Sequence, residues 1–176
     1  LELSEQGRTG SKVRKPVFDH DHAIQWMFEG LDKLSGGEDH TLGLSQVEAV
    51  GHRVVHGGDR FFAPTLLDEK VEKEIEGLSE LAPLHNPACL AGIQGARAIL
   101  GKNVPMVAVF DTAFHQTLPP KAKTYAIPHD LAARHAIHRY GFHGIAHASL
   151  LAGYVVHRGN QIEKTRLITL QLGNGC

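Results

Sequence analysis

A chain of 176 residues is long enough to bury one sizeable core, and 42% hydrophobic with 21% charged residues is an ordinary globular composition. A net charge of −1 gives no electrostatic case for nucleic acid or for an anionic membrane surface. The longest strongly apolar run, Val104 to Phe110, is far too short to span a bilayer. The opening Leu1-Glu2-Leu3-Ser4-Glu5 lacks the basic start and apolar core of a secretory signal, and two cysteines, Cys89 and Cys176, make no disulfide framework. A cytoplasmic, reducing setting is expected. The chain does not open with Met and stops at Cys176 directly after a glycine-rich block, so one lobe of something larger is expected.

Residues 1–21 show no clear period. Residues 22–34 carry Ile24, Met27, Phe28, Leu31 and Leu34 at helical spacing, and SGGEDHTLG at 35–43 reads as a loop. The stretch 47–55 predicts a strand that ends at His56-Gly57-Gly58. A charged amphipathic helix is predicted over 66–80, with Pro83 breaking the chain after it. Asn86 as N-cap and Pro87 at the first helical position predict a helix that runs from about 88 to 100 and closes at Gly101. The apolar run 104–110 predicts a strand covered on both faces, with Asp111 at its carboxyl end. A short strand near 123–127, helices over 128–135 and 144–158, a strand over 166–172 and a Gly-Asn-Gly turn complete the chain. Strands alternating with helices argue for an α/β layered fold. Residues 1–45 form a poorly assigned segment with one helix, and 46–176 form the main lobe.

Five blocks stand out: GHRVVHGGD at 51–59, APLHNP at 82–87, FDTAFHQ at 110–116 and RYGFHG at 139–144 set charged or imidazole side chains beside glycine, proline or a turn residue, and QLGNG at 171–175 is a glycine-rich turn after an apolar run. They hold His52, His56, His85, His115 and His143, with His147 just past the fourth block; of 13 histidines in total, others such as His20 and His135 carry no further signal. Arg53 lies in an apolar strand, where a guanidinium needs an anion: a carboxylate or phosphate ligand, or an internal partner such as Asp59 or Asp111. Asp111, at a strand end, suits a metal-orienting or proton-accepting carboxylate, or else caps the following turn. In RYGFHG a ring and an imidazole between glycines can approach a ligand closely, or the His can stabilise its own turn. The glycines of LGNG would let backbone N–H groups point at a phosphate. A histidine-based metallohydrolase is the rival chemistry. His143 and His147 are four apart, as are His52 and His56, but no HExxH pattern exists, and a strand does not bring such a pair together as a helix does.

In order and spacing, HRVVHGG, APLHNP, VFDTAFHQ, YGFHG and LGNG resemble the acetate kinase family, within the acetate-and-sugar-kinase and actin superfamily. The resemblance runs from about residue 48 to the end, and it implies a partial actin-like ATPase (ribonuclease H-like) lobe, a mixed sheet flanked by helices. It also implies reversible, magnesium-dependent transfer of phosphate from ATP to acetate, with propionate or another short-chain carboxylate as an alternative acceptor. By position, Arg53 would bind the carboxylate and then the migrating phosphoryl group. Asp111 would orient that arginine, the acyl group and the magnesium shell, and His143 would hydrogen-bond the phosphoryl oxygens. Val55, Leu84 and Phe142 would line the pocket for the methyl group, with His85 as a second polar contact. Gln171, Gly173, Asn174 and Gly175 would form the phosphate-binding turn. Gln171 stands where the family usually has His, and Gln cannot become cationic. The family also opens on a turn rich in Asn, Ser and Lys that is not visible before Val47, and its members are well over twice this length. The resemblance therefore implies an inactive piece of an acetate kinase, holding neither ATP nor Mg2+ tightly, with a non-catalytic binding domain as the other alternative. Apolar surface left uncovered by a partner lobe would favour self-association.

Overall fold

The structure is a computed structural model that describes residues 2–3, 11–12, 16, 20–34, 44–159 and 161–173. Two short strands, β1 (Glu2–Leu3) and β2 (Ser11–Lys12), pair antiparallel. Helix α1 (His20–Leu34) follows and packs on α3 (Asn86–Leu100). Its predicted stripe is used in part: Phe28 is buried and Ile24 packs against the core, whereas Met27 is exposed. The side chains of Leu31 and Leu34, and the whole of the 35–43 loop, lie outside the described residues.

The main sheet has three strands, β3 (Val50–Val54), β4 (Thr65–Leu66) and β5 (Met106–Phe110), in the order β3-β5-β4. β3 runs parallel to β5, with Val50 opposite Met106 and Val54 opposite Phe110; β4 runs antiparallel, with Thr65 opposite Ala108. Val54, Ile75, Ile93 and Ala108 are each 0% exposed, so β3, helix α2 (Glu69–Gly77), α3 and β5 share one core. Phe61 stacks on Phe110 with ring centroids 4.5 Å apart. Asp68 caps α2 by accepting from the Val71 N–H at 2.7 Å, and Arg97 of α3 pairs with Glu72 of α2 at 2.7 Å. The chain then passes through a 3-10 turn at Asp111–His115, short helices α4 (Pro120–Lys123) and α5 (His129–Arg134), and α6 (Gly144–Arg158), which packs on that turn and on β5. Gly159, in the left-handed region at φ 65°, closes α6.

The structure departs from the sequence-based expectations in four places. The predicted helix over 66–80 begins only at Glu69, because Asp68 caps it and Thr65–Leu66 form the edge strand β4. A 3-10 turn at Leu78–Glu80 ends that segment. Helix α3 already includes Asn86, and His85 takes the cap position, because the Asn86 amide is committed elsewhere. No strand forms at 123–127: the prolines at 119 and 120 open α4, and the Ile127 N–H bonds to the Tyr125 carbonyl in a three-residue turn. The stretch 166–172 is not in a ladder with any described strand; Ile168 and Leu170 are 88% and 74% exposed. A strand needs a neighbour for its N–H and C=O groups, and an apolar sequence does not supply one.

Candidate functional site

The parallel register brings the carboxyl ends of β3 and β5 side by side, the usual place for a ligand in open α/β sheets. Side chains alternate along a strand, so Arg53, Val109 opposite it and Asp111 two residues on all leave the sheet on one side. Arg53 Nε and Nη2 donate to Asp111 Oδ2 at 3.0 and 2.7 Å. Asp111 is 1% exposed and the Arg53 side chain 58%. A buried carboxylate thus anchors a guanidinium whose outer edge faces solvent. The hydrogen bond to Asp111 holds the Arg53 pKa above its ordinary value, so it stays cationic at every working pH. Of the two partners weighed for Arg53, Asp111 is the one observed. Asp111 does not cap its turn by a side-chain hydrogen bond; Phe110 occupies the cap position.

Buried hydrogen bonds hold the glycine loop after β3. Asn86 Oδ1 accepts from the His56 N–H at 3.1 Å, and Asn86 Nδ2 donates to the His56 carbonyl at 3.0 Å. The Gly57 N–H donates to Thr112 Oγ1 at 2.9 Å, and the Gly58 N–H to His56 Nδ1 at 3.0 Å. An accepting Nδ1 requires an unprotonated nitrogen, and burial pushes the His56 pKa down in the same direction. His56 is therefore a structural imidazole, neutral at pH 7. His52 faces away from this loop, where burial lowers its pKa and Arg97 and Glu72 lie close enough to act on it. Neither pairs with the other as metal ligands would, and among the described residues no group of three His, Cys, Asp or Glu could hold a metal ion.

The RYGFHG loop is fastened from three sides. His138 Nε2 donates to Asp59 Oδ2 at 2.9 Å, and the Tyr140 hydroxyl donates to the Ala136 carbonyl at 2.8 Å. The edges of Tyr140 and Phe142 meet the His56 ring at 4.4 and 5.5 Å. Burial pushes the Tyr140 pKa up to about 12, so it stays a phenol. His143 sits at φ 54°, ψ 25°, in the left-handed region that few non-glycine residues occupy, and makes no capping hydrogen bond to its own turn. Gly144 follows, and a Cβ there would collide with the Asp111 carbonyl oxygen. Glycine is thus required for α6 to start against the Asp111 turn.

These elements enclose a cleft of about 370 Å³ lined by Arg53, Val55, Leu84, His85, Asp111, Phe142 and His143, together with Leu81, Ala82 and Pro83. Leu84 is 86% exposed and Phe142 45%, so two large apolar groups face open space beside a guanidinium. Such a site suits a small molecule with an anionic head and a short apolar tail. Gln171 and Gly173 are not among the residues lining it, and Asn174 and Gly175 lie outside the described residues. The roles of Asn86 and Thr112 were missed in the sequence. Their only signal is a polar residue inside two of the motif blocks.

Residues 2–176 match the model of the acetokinase family, including a segment, 2–45, in which the motif blocks are absent. An acetate kinase of Chloroherpeton thalassium is 44% identical over 173 residues, 97% of this chain and 42% of that relative. One from Clavibacter sepedonicus is 49% identical over 163 residues, 92% of this chain and 39% of that relative. Among solved structures, Porphyromonas gingivalis acetate kinase superimposes with a TM-score of 0.79 at 34% identity, covering 94% of this chain and 41% of that one. A propionate kinase from Francisella tularensis gives a TM-score of 0.67 at 40% identity, covering 77% and 34%. The chain therefore spans about two-fifths of the length of the curated relatives it matches. Its mixed sheet with flanking helices is that of a partial actin-like ATPase lobe. No helix among the described residues is long and apolar enough to cross a membrane.

Proposed function

The chain belongs to the acetokinase family, and from that premise we propose that its cleft is the acyl subsite of a kinase that phosphorylates acetate or another short-chain carboxylate. The observation that carries this reading is the Arg53–Asp111 pair. The one carboxylate lining the cleft is committed to Arg53 and is not poised as a base. A carboxylate, ionised at pH 7, needs no base to act as acceptor, and its two oxygens match the free edge of a guanidinium. Arg53 takes the substrate carboxylate on its exposed edge, while Val55, Leu84 and Phe142 take the alkyl end. A carboxylate oxygen then forms the new P–O bond as the bond to the leaving nucleoside diphosphate breaks. His143 and Arg53 serve as donors to the phosphoryl oxygens, the positioning and charge stabilisation that phosphoryl transfer needs from a protein.

ATP with Mg2+ is the donor that goes with this family, and Gln171, Gly173, Asn174 and Gly175 are proposed as its phosphate-facing turn. Magnesium takes one or two carboxylates besides waters and phosphates. Asp111, whose Oδ2 accepts two hydrogen bonds from Arg53, is the carboxylate lining the cleft among the described residues and would help to order the magnesium shell. Propionate is a second acceptor, favoured by the likeness to a propionate kinase. The test is to incubate the purified chain with ATP, Mg2+ and acetate or propionate and trap acyl phosphate with hydroxylamine, with NMR titration of carboxylate and acetyl phosphate alongside. Binding without turnover makes the chain a carboxylate-binding domain, the second reading. Absence of binding at Arg53 contradicts both.

A further inference from the structure

We propose that His115 is a positioning residue that sets the acyl-chain selectivity of the cleft by holding the Phe142 carbonyl; the inference rests on the cleft being a short-chain carboxylate site. His115 is the last residue of the 3-10 turn whose first residue is Asp111. Its Nε2 lies 2.9 Å from the Phe142 carbonyl oxygen. A carbonyl only accepts, so Nε2 carries the proton and donates. The His115 side chain also lies close against Gly141, at φ 81°, where any Cβ would run into it. The Phe114 and His147 rings stand edge-on to it at 5.3 and 5.9 Å.

One imidazole thus fixes the peptide plane between Phe142 and His143 and the path of the residue before it. The consequence follows from how the two sides of the cleft are built. Arg53 and Val55 stand on or beside β3, inside the hydrogen-bonded sheet. Phe142 stands on a loop, 45% exposed. The hydrogen bond from His115 ties that loop to the same turn that anchors Arg53 through Asp111. It thereby sets the span from the guanidinium to the Phe142 wall, and that span decides how long an alkyl tail fits. A single methylene in an apolar pocket changes discrimination by about 10- to 200-fold, so a small displacement of the wall is measurable.

The experiment uses the 176-residue chain. A long-range 1H–15N spectrum of the wild type reads the tautomer directly: Nε2-protonated His115 is expected, and an Nδ1-protonated neutral ring overturns the proposal. Acetate and butyrate are then titrated into wild type, His115→Phe, which keeps the ring without the donor, and His115→Gln, which restores a donor. His115→Phe is expected to cut the preference for acetate over butyrate by about tenfold, and His115→Gln to recover it within about threefold. Wild-type selectivity in His115→Phe overturns the inference. If no carboxylate moves the wild-type cleft signals, the cleft reading has failed instead. The Phe142 and His143 amide shifts of the variants then decide positioning alone, and unchanged shifts refute it. Should His115→Phe not fold, the wild-type tautomer and His115→Gln carry the decision.

Discussion

Residues 44–116 and 117–173 meet at the cleft but are held by different forces. The first region buries Val54, Ile75, Ile93, Met106, Ala108 and Phe110 at 1% exposure or less. In the second, Gly144 is the one buried residue among those described, while Val156, Ile168, Leu170 and Leu172 are 74% exposed or more. Apolar burial supports the frame that carries Arg53 and Asp111. Phe142 and His143 are instead held to that frame by the His115 and His138 hydrogen bonds, the aromatic edges on His56 and the close seat of Gly144. The difference teaches that the Arg53–Asp111 side of the cleft and its Phe142–His143 side are separable in stability, with the second the easier to open locally.

The sharpest way to break this comparison is by core truncation. Ile93→Ala, at a side chain 0% exposed, is expected to cost about 2–5 kcal/mol, whereas Val156→Ala, at 82% exposure, stays within about 0.5 kcal/mol. Equal losses in denaturant unfolding would erase the distinction between the regions. On the proposed chemistry, Arg53→Ala and His143→Ala, each made in a complete kinase that contains this lobe, lower acyl phosphate formation on the order of 10²- to 10³-fold, and near-normal rates in either remove that residue from the mechanism. Asn86→Ala leaves the His56 backbone groups unpaired inside the first region and should cost about 1–3 kcal/mol. The smallest effect is that of pH. The folded-state pKa of His56 lies below the ordinary 6.5, so on acidification the unfolded chain takes up the proton first. Stability is therefore full above that ordinary value and falls as the pH drops from it towards the folded-state value. Thermal midpoints from about pH 7.5 down to about pH 5 should show this slope, and His56→Gln should flatten it. An unchanged slope would mean the fall comes from other groups, such as His52.

The sequence announces the frame and most of the cleft wall for physical reasons. A parallel strand covered on both faces must be a continuous apolar run, as 106–110 is, and a helix between proline and glycine is punctuated at both ends, as α3 is. The blocks around Arg53, Leu84, Asp111 and Phe142 could be read because loop chemistry sits beside turn residues, and the fold gathers them at one cleft. Asn86 was misread because an N-cap and a buried backbone clamp use the same side chain at the same place. Strand β4 is two residues long, too short for any period, and its pairing with β5 depends on a partner some forty positions away. At 166–172 the pattern of a strand is present but no described strand is paired with it, since pairing is a tertiary fact.

The central claim is that the exposed edge of Arg53, held by buried Asp111, receives a short-chain carboxylate against the Phe142 wall. The most direct measurement is an NMR titration of the labelled chain with acetate and acetyl phosphate, in the wild type and in Arg53→Ala. Saturable shifts at Leu84, His85, Phe142 and His143 that vanish in Arg53→Ala are the predicted result. Shifts elsewhere, or shifts that survive the loss of Arg53, would contradict the account.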